Sequence, residues 1–188
     1  MFFTIRKIII MTFWGLLVLG GLVLYQNREI FHPLVETVQI ARKIDFQPEA
    51  QQILGELSGE VIQITGADTF RMKDPHGTVY HFRFHGLDVP QQWNVQDKRQ
   101  RELKQETKSC LSGLMLSNQI KVDLISTNET HGGLGIVYLN HTNINLRLVE
   151  LGLARINREY LKRLPVKEQY TFLHAEKKAE QRELGIWR

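Results

Sequence analysis

The sequence predicts an α+β fold: a small closed barrel of five strands with three packed helices, preceded by one N-terminal transmembrane helix. Three observations carry that expectation. Residues 8–25 form an unbroken uncharged apolar run. Residues 59–85 hold three short strand-like runs separated by turn chemistry. After them the periodicity reads helix, two strands, then helices, an order that suits a five-stranded barrel of the OB type.

The first element is "IIIMTFWGLLVLGGLVLY", with Arg6 and Lys7 before it and Arg28 after it. At 1.5 Å per residue it reaches about 27 Å, enough to cross the hydrocarbon core of a bilayer. A cleaved leader would end in a small-x-small site, and "LYQNRE" offers none. The segment therefore reads as a signal anchor, with a buried core helix as the plainer alternative. The short basic tail, residues 1–7, places the N-terminus in the cytoplasm and the soluble domain on the opposite side, although Arg28, Arg42 and Lys43 weaken the charge asymmetry.

Residues 26–58 read as a stalk of helical pieces. "PLVETVQIARKI" has helical apolar spacing, and "FQPEAQQIL" resumes after a proline break. The domain proper is expected over residues 59–188. "GEVIQI" and "DTFRMKD" are the first two strands, "DPHG" the turn, and "TVYHFRFHG" the third strand, with Val79, Tyr80, Phe82 and Phe84 supplying β-favouring bulk. A charged helix follows from about Lys98 to Leu116. "QIKVDLIS" and "GIVYLN" are strands four and five. Asn143 opens a short helix that stops near Gly152, and the helix after Pro165 ends near Gly185. Tyr170, Leu173 and Leu184 are assigned to its barrel-packing face, and Trp187 to packing back onto the domain.

Bulk properties narrow the partners without naming one. Hydrophobic residues make up 43% of the 188 residues and charged residues 23%, which suits a folded domain rather than a disordered chain. A formal charge of +4 is compatible with a polyanionic partner. The single cysteine, Cys110, excludes an internal disulfide and reads as an inert helix-face thiol. Glu102 and Glu106 interrupt the basic residues of the "DKRQRELKQETK" helix, so an ion-paired solvated face outweighs a nucleic-acid contact there. "NET" at Asn128 and "NHT" at Asn140 match glycosylation acceptors, which matter only in a eukaryotic secretory route.

From about Gly59 to Arg188 the chain resembles the staphylococcal nuclease (thermonuclease) family. The residues that carry the likeness are "GADT", "FRFHGLDVP", "NLRLVELGLARI" and "AEKKAEQRELGIWR". The resemblance implies an OB barrel with three helices and, in active members, hydrolysis of DNA and RNA with Ca²⁺. By position, Asp68 and Asp88 match the two main calcium carboxylates, and Arg83 matches the arginine that grips the scissile phosphate. Hard oxygen donors suit Ca²⁺ and a planar guanidinium suits phosphate. Other positions depart from the pattern. Gln91 stands where active members carry the water-activating glutamate, and Leu134 where they carry a second arginine. Val89 replaces a threonine and Gly66 an acidic residue. Loss of a general base costs about 10² to 10⁴ in rate, and loss of a charge clamp on the order of 10³.

Alternatives remain beside these roles. Asp68 and Asp88 also suit turn capping by their side chains. His81, Arg83 and His85 alternate, so a continuous strand would place them on one face. His85 could then add a transition-metal ligand or a base, and His131 a weaker cation, against the plainer reading of both as surface residues. The expected function is a membrane-anchored module lacking efficient phosphodiesterase activity that binds a phosphate, a nucleic acid or a protein. Against it stand a Ca²⁺-dependent nuclease with altered catalytic groups, and a purely protein-binding domain with structural aspartates.

Overall fold

Alternating side chains along the first strand already show why a barrel forms. In β1 (Gly55–Ile64) Gly59, Val61 and Ile64 are buried, while Glu60, Ile62 and Gln63 between them are exposed. One face of each strand must therefore be covered, and closing the sheet on itself does so. The computed structural model describes residues 21, 25–26, 28–48, 50–89, 98–127 and 132–188. The chain divides into two compact units, residues 1–43 and 44–188. In the first, helix α1 (Arg28–Ala41) includes Pro33 and exposes Val35 and Val38.

In the second unit the first half of β1 pairs antiparallel with β5 (Gln119–Thr127), and its second half with β2 (Thr69–Lys73). A register shift between Val61 and Gln63 bends the strand, which lets it serve both neighbours. β2 pairs with β3 (Val79–Phe84) and β5 with β6 (Gly132–Leu139), both antiparallel. The parallel pairing of β3 with β6 closes the five-stranded barrel. Phe70, Phe82 and Phe84 cluster inside it with ring centroids 5.4 to 5.7 Å apart, and Met72, Val122 and Val137 are fully buried beside that layer.

Short elements dress the barrel. β4 (Leu87–Asp88) bridges to β8 (Arg155–Ile156) in a separate two-stranded pairing, and β7 (Thr142–Asn143) extends β6. Helix α2 (Lys98–Met115) buries Leu103, Thr107, Leu111 and Met115, a helical stripe. Helix α3 (Ile144–Glu150) starts at Asn143, whose side chain accepts from the Leu146 N–H. The stop sits at Gly152, where φ is +69° and a Cβ would meet the Leu184 backbone at 2.5 Å. α4 (Arg158–Leu161) and α5 (Val166–Gln181) follow, with Pro165 at the α5 N-cap, and a 3₁₀ turn (Gly185–Trp187) ends the chain.

The five barrel strands and the three longer packed helices match the expected α+β architecture, with differences. β1 begins at Gly55, four residues before the run that the alternation marks. Residues 44–54 hold no helix among the described residues, against the helical pieces expected there. Instead Gln169 ties Asp45 to α5: it accepts from the Asp45 N–H at 2.7 Å and donates to the Asp45 carbonyl at 2.9 Å. Tyr170 is not on the packing face of α5. It is exposed and stacks on His174, whereas Leu173 is buried. Trp187 does fold back, lying under the Arg155 guanidinium at 4.6 Å. Most of the apolar run at residues 8–25 lies outside the described residues, and no described helix is long and apolar enough to cross a membrane.

Candidate functional site

The barrel mouth is set by two tight reversals. Between β1 and β2, the Thr65 and Gly66 N–H groups both donate to the Thr69 carbonyl, and the Thr65 hydroxyl pairs with that of Thr69 at 3.0 Å. That loop delivers Asp68. Its backbone is pinned by the Phe84 N–H, which donates to the Asp68 carbonyl at 2.9 Å. The second reversal follows β3 at His85 and Gly86. Gly86 has φ +75°, and a Cβ there would lie 1.9 Å from the Tyr160 ring, so glycine is required on both counts.

The structure brings Asp68 and Arg83 together. Arg83 lies opposite Thr69 across the β2–β3 pairing, and its Nε sits 3.2 Å from Asp68 Oδ2. The Asp68 side chain is 1% exposed and the Arg83 side chain 54%, so a solvated guanidinium caps a buried carboxylate. Neither Asp68 oxygen takes a hydrogen bond of normal geometry. Burial pushes its pKa above the ordinary carboxylate value, and Arg83, its own backbone N–H and Lys104 pull the other way. This is not the bonding pattern of a turn-capping aspartate. Asp74, by contrast, is one: its Oδ1 accepts from the His76 and Thr78 N–H groups in the "DPHG" turn.

Asp88 stands differently. It is half-buried in β4, opposite Arg155 of β8, and its Oδ1 accepts from Asn157 Nδ2 at 3.3 Å. Arg83, His85, Asp88 and Leu134 line one cleft of about 370 Å³, together with Asn157, Glu159, Tyr160 and Arg163. A second cleft of about 350 Å³ opens on the neighbouring side, lined by Thr69, His81, Arg83, Ser126 and Leu134 among others. Arg83 and Leu134 are register partners in the β3–β6 pairing, and both border both clefts. The mouth thus presents a guanidinium beside an isobutyl group. Val89 is fully buried, so its side chain belongs to the core and not to the cleft.

His85 departs from the alternation. β3 ends at Phe84, and His85 lies in the turn with its ring edge-on to Tyr160, centroids 4.8 Å apart. Its Nε2 is buried with no hydrogen-bond partner. Burial, and then Arg163, lower its pKa and favour the neutral ring. Among the described residues no three His, Cys, Asp or Glu side chains cluster as a metal site, so His85 does not complete one. Gln91 and His131 lie outside the described residues. Ca²⁺ takes six to eight oxygens, and the described carboxylates at this mouth are Asp68, capped by Arg83, Asp88, held by Asn157, and Glu159, which lines the same cleft as Asp88 and pairs with Lys162. Among the described residues that donor set does not by itself form a calcium cage.

Asn157 and Arg163 are the residues that sequence reasoning missed. Both lie more than sixty positions beyond Asp88 and share its cleft through the fold, where β4 pairs with β8 and the Asn157 N–H donates to the Gly86 carbonyl. No local pattern in "INREYLKR" marks them. Residues 81–188, more than half of the chain, match the family described as Staphylococcal nuclease homologue. The matched span includes Arg83, Asp88 and Leu134, while Asp68 lies before it. A comparison with curated proteins gave no match.

Proposed function

The chain belongs to the Staphylococcal nuclease homologue family, and we propose that its barrel mouth binds a phosphate-bearing ligand without hydrolysing it efficiently. The ligand class is a nucleic acid or a nucleotide phosphate. The observation that carries this reading is Arg83: its side chain is more than half exposed and borders two clefts while its partner Asp68 is buried. A planar fork with open donors at a cleft edge is suited to a phosphate. The apolar Leu134 beside it supports weak catalysis, because it supplies no charge to a developing pentacovalent phosphorus. Gln91, at the family's base position, supports the same conclusion on chemical grounds, since an amide does not accept a proton at neutral pH.

In this proposal residues 8–25 anchor the chain in a membrane, with the N-terminus cytoplasmic and the barrel on the opposite side. The support is the uncharged apolar run itself. A protein partner at the same surface is compatible with this role.

One observation favours a second reading, a Ca²⁺-dependent nuclease with altered groups. The Asp68 oxygens are buried with no hydrogen bond of normal geometry and only the Arg83 guanidinium as counter-charge, an arrangement in which a cation could replace Arg83. The test of the binding proposal is titration of the full-length chain with a single-stranded oligonucleotide at two salt concentrations. Binding should weaken with salt, and Arg83→Ala should weaken it about tenfold or more. Equal affinity in wild type and Arg83→Ala would reject it.

A further inference from the structure

We infer that Arg163 is a second phosphate contact, reaching across the cleft from the α4–α5 connection and supplying the guanidinium that β6 lacks at Leu134. This inference rests on the phosphate-binding reading above and deepens it. The family pattern draws its second cation from the strand that here carries Leu134. In this chain Arg83 and Arg163 line the same cleft of about 370 Å³ from separate elements. That volume lies in the range of small-ligand sites, about 300 to 1,000 Å³.

The backbone under Arg163 is fixed. Its N–H donates to the Tyr160 carbonyl at 2.9 Å, and the next N–H, of Leu164, donates to the Leu161 carbonyl at 3.1 Å. Tyr160, Leu161 and Leu164 are all buried, so the side chain is presented from a packed base rather than from a free loop. The charges around it are already matched. Arg158 pairs with Glu176, and Glu159 pairs with Lys162. Arg163 itself makes no direct salt bridge among the described residues, although its charge is felt by Glu159, which lines the same cleft. Arg163 is exposed, and its field reaches His85 in the same cleft, where it adds to burial in favouring the neutral imidazole. A phosphate in this cleft would thus meet both Arg83 and Arg163, each suited to bidentate contact, with His85 and Tyr160 also in its lining.

The cleft also holds Asp88 and Glu159, which give Arg163 a competing role as counter-charge to those carboxylates. The experiment separates the two. Affinity of the full-length chain for a short single-stranded oligonucleotide is measured across a salt series for wild type, Arg83→Ala, Arg163→Ala, Arg163→Lys and Arg182→Ala, with thermal unfolding of each. Arg182 is exposed and outside the cleft lining, so it serves as the control. Each phosphate neutralised on a single strand contributes about 0.7 to the salt slope. Arg163→Ala should lower the slope by about 0.7 and the affinity about tenfold, with unfolding unchanged. Arg163→Lys should keep the slope and lose part of the affinity, because an ammonium retains the charge without the fork. Arg182→Ala should do neither. If Arg163→Ala binds like wild type while Arg83→Ala does not, the inference is overturned and the phosphate-binding reading stands. Unchanged binding with lowered thermal stability would also overturn it, making Arg163 a counter-charge. If wild type does not bind at all, both fail together.

Discussion

Two sets of buried polar side chains in the second unit follow opposite rules. In the helical layer Asn145 is fully buried and fully used: it accepts from the Val137 N–H at 2.9 Å and donates to the His85 carbonyl at 2.8 Å. Gln169, also fully buried, makes three bonds, to the N–H and carbonyl of Asp45 and to the Leu164 carbonyl. Glu176 accepts from the Ile156 N–H and pairs with Arg158. At the barrel mouth Asp68 is as deeply buried, yet neither of its oxygens is hydrogen-bonded, and His85 Nε2 has no partner. Buried polar atoms in folded proteins are almost always paired. The satisfied set holds elements together, and the unsatisfied set marks where the fold tolerates a cost for another purpose.

That contrast breaks most visibly at Asn145. Asn145→Ala orphans a β6 N–H and the His85 carbonyl together, and should destabilise the domain by about 2 to 4 kcal/mol in denaturant unfolding. A change within 0.5 kcal/mol would mean that the network is not structural.

The mouth should respond in the opposite direction. Asp68→Asn removes a desolvated charge, so at pH 7 without divalent metal the variant should be more stable by about 1 kcal/mol, or roughly 2 to 4 °C for a chain of this size. The sign follows from the raised folded pKa. Below the ordinary value of 3.8 both states are protonated and Asp68 imposes no penalty. As pH rises through the raised folded value, stability is lost and stays lost. The advantage of Asp68→Asn should therefore vanish near pH 3, and a destabilised variant at pH 7 would contradict the desolvation argument. His85 should act at the other edge. Its lowered pKa stabilises the fold above the ordinary value of 6.5, and that contribution is lost as pH falls through the folded value. His85→Gln should flatten the stability profile there, as followed by Tm against pH.

Smaller effects sharpen the account of the ligand. Asp88→Asn removes an anion from the cleft that Arg83 and Arg163 line. In the phosphate-binding reading it should tighten metal-free oligonucleotide binding severalfold, whereas a metal-dependent site would lose binding in the presence of Ca²⁺. Smallest of all, Tyr170→Ala should change stability by no more than about 0.5 kcal/mol, because the ring is exposed and stacks only on His174.

The comparison also explains what was legible in the sequence. Alternation exposed β2 and β3 because one face of each is buried against the aromatic layer of Phe70, Phe82 and Phe84. Pro165 and Asn143 marked helix starts through local backbone chemistry. Asp68, Arg83 and Asp88 stood out because they sit in short motifs. Their environments did not, since the burial of Asp68 and the clasp of Asn157 on Asp88 arise from chain segments far apart in sequence. His85 was placed on a strand face because periodicity does not reveal where a strand ends. Gly86, one residue later, held that information through its positive φ. Tyr170 misled for a related reason: an aromatic residue at helical spacing reads as core, but its position falls one face away from the packed stripe of Phe172 and Leu173.

The most direct test of the central claim is cleavage. The full-length chain, Asp88→Asn, Gln91→Glu and the double variant Gln91→Glu with Leu134→Arg are assayed on DNA and RNA with Ca²⁺, Mg²⁺, Mn²⁺ or EDTA. A mouth that grips phosphate but lacks the base and the second clamp predicts a silent wild type, with any metal-dependent cutting confined to the double variant, where Gln91→Glu also adds a carboxylate. Metal-dependent cutting by wild type that Asp88→Asn abolishes would contradict it, and would make this chain a working nuclease.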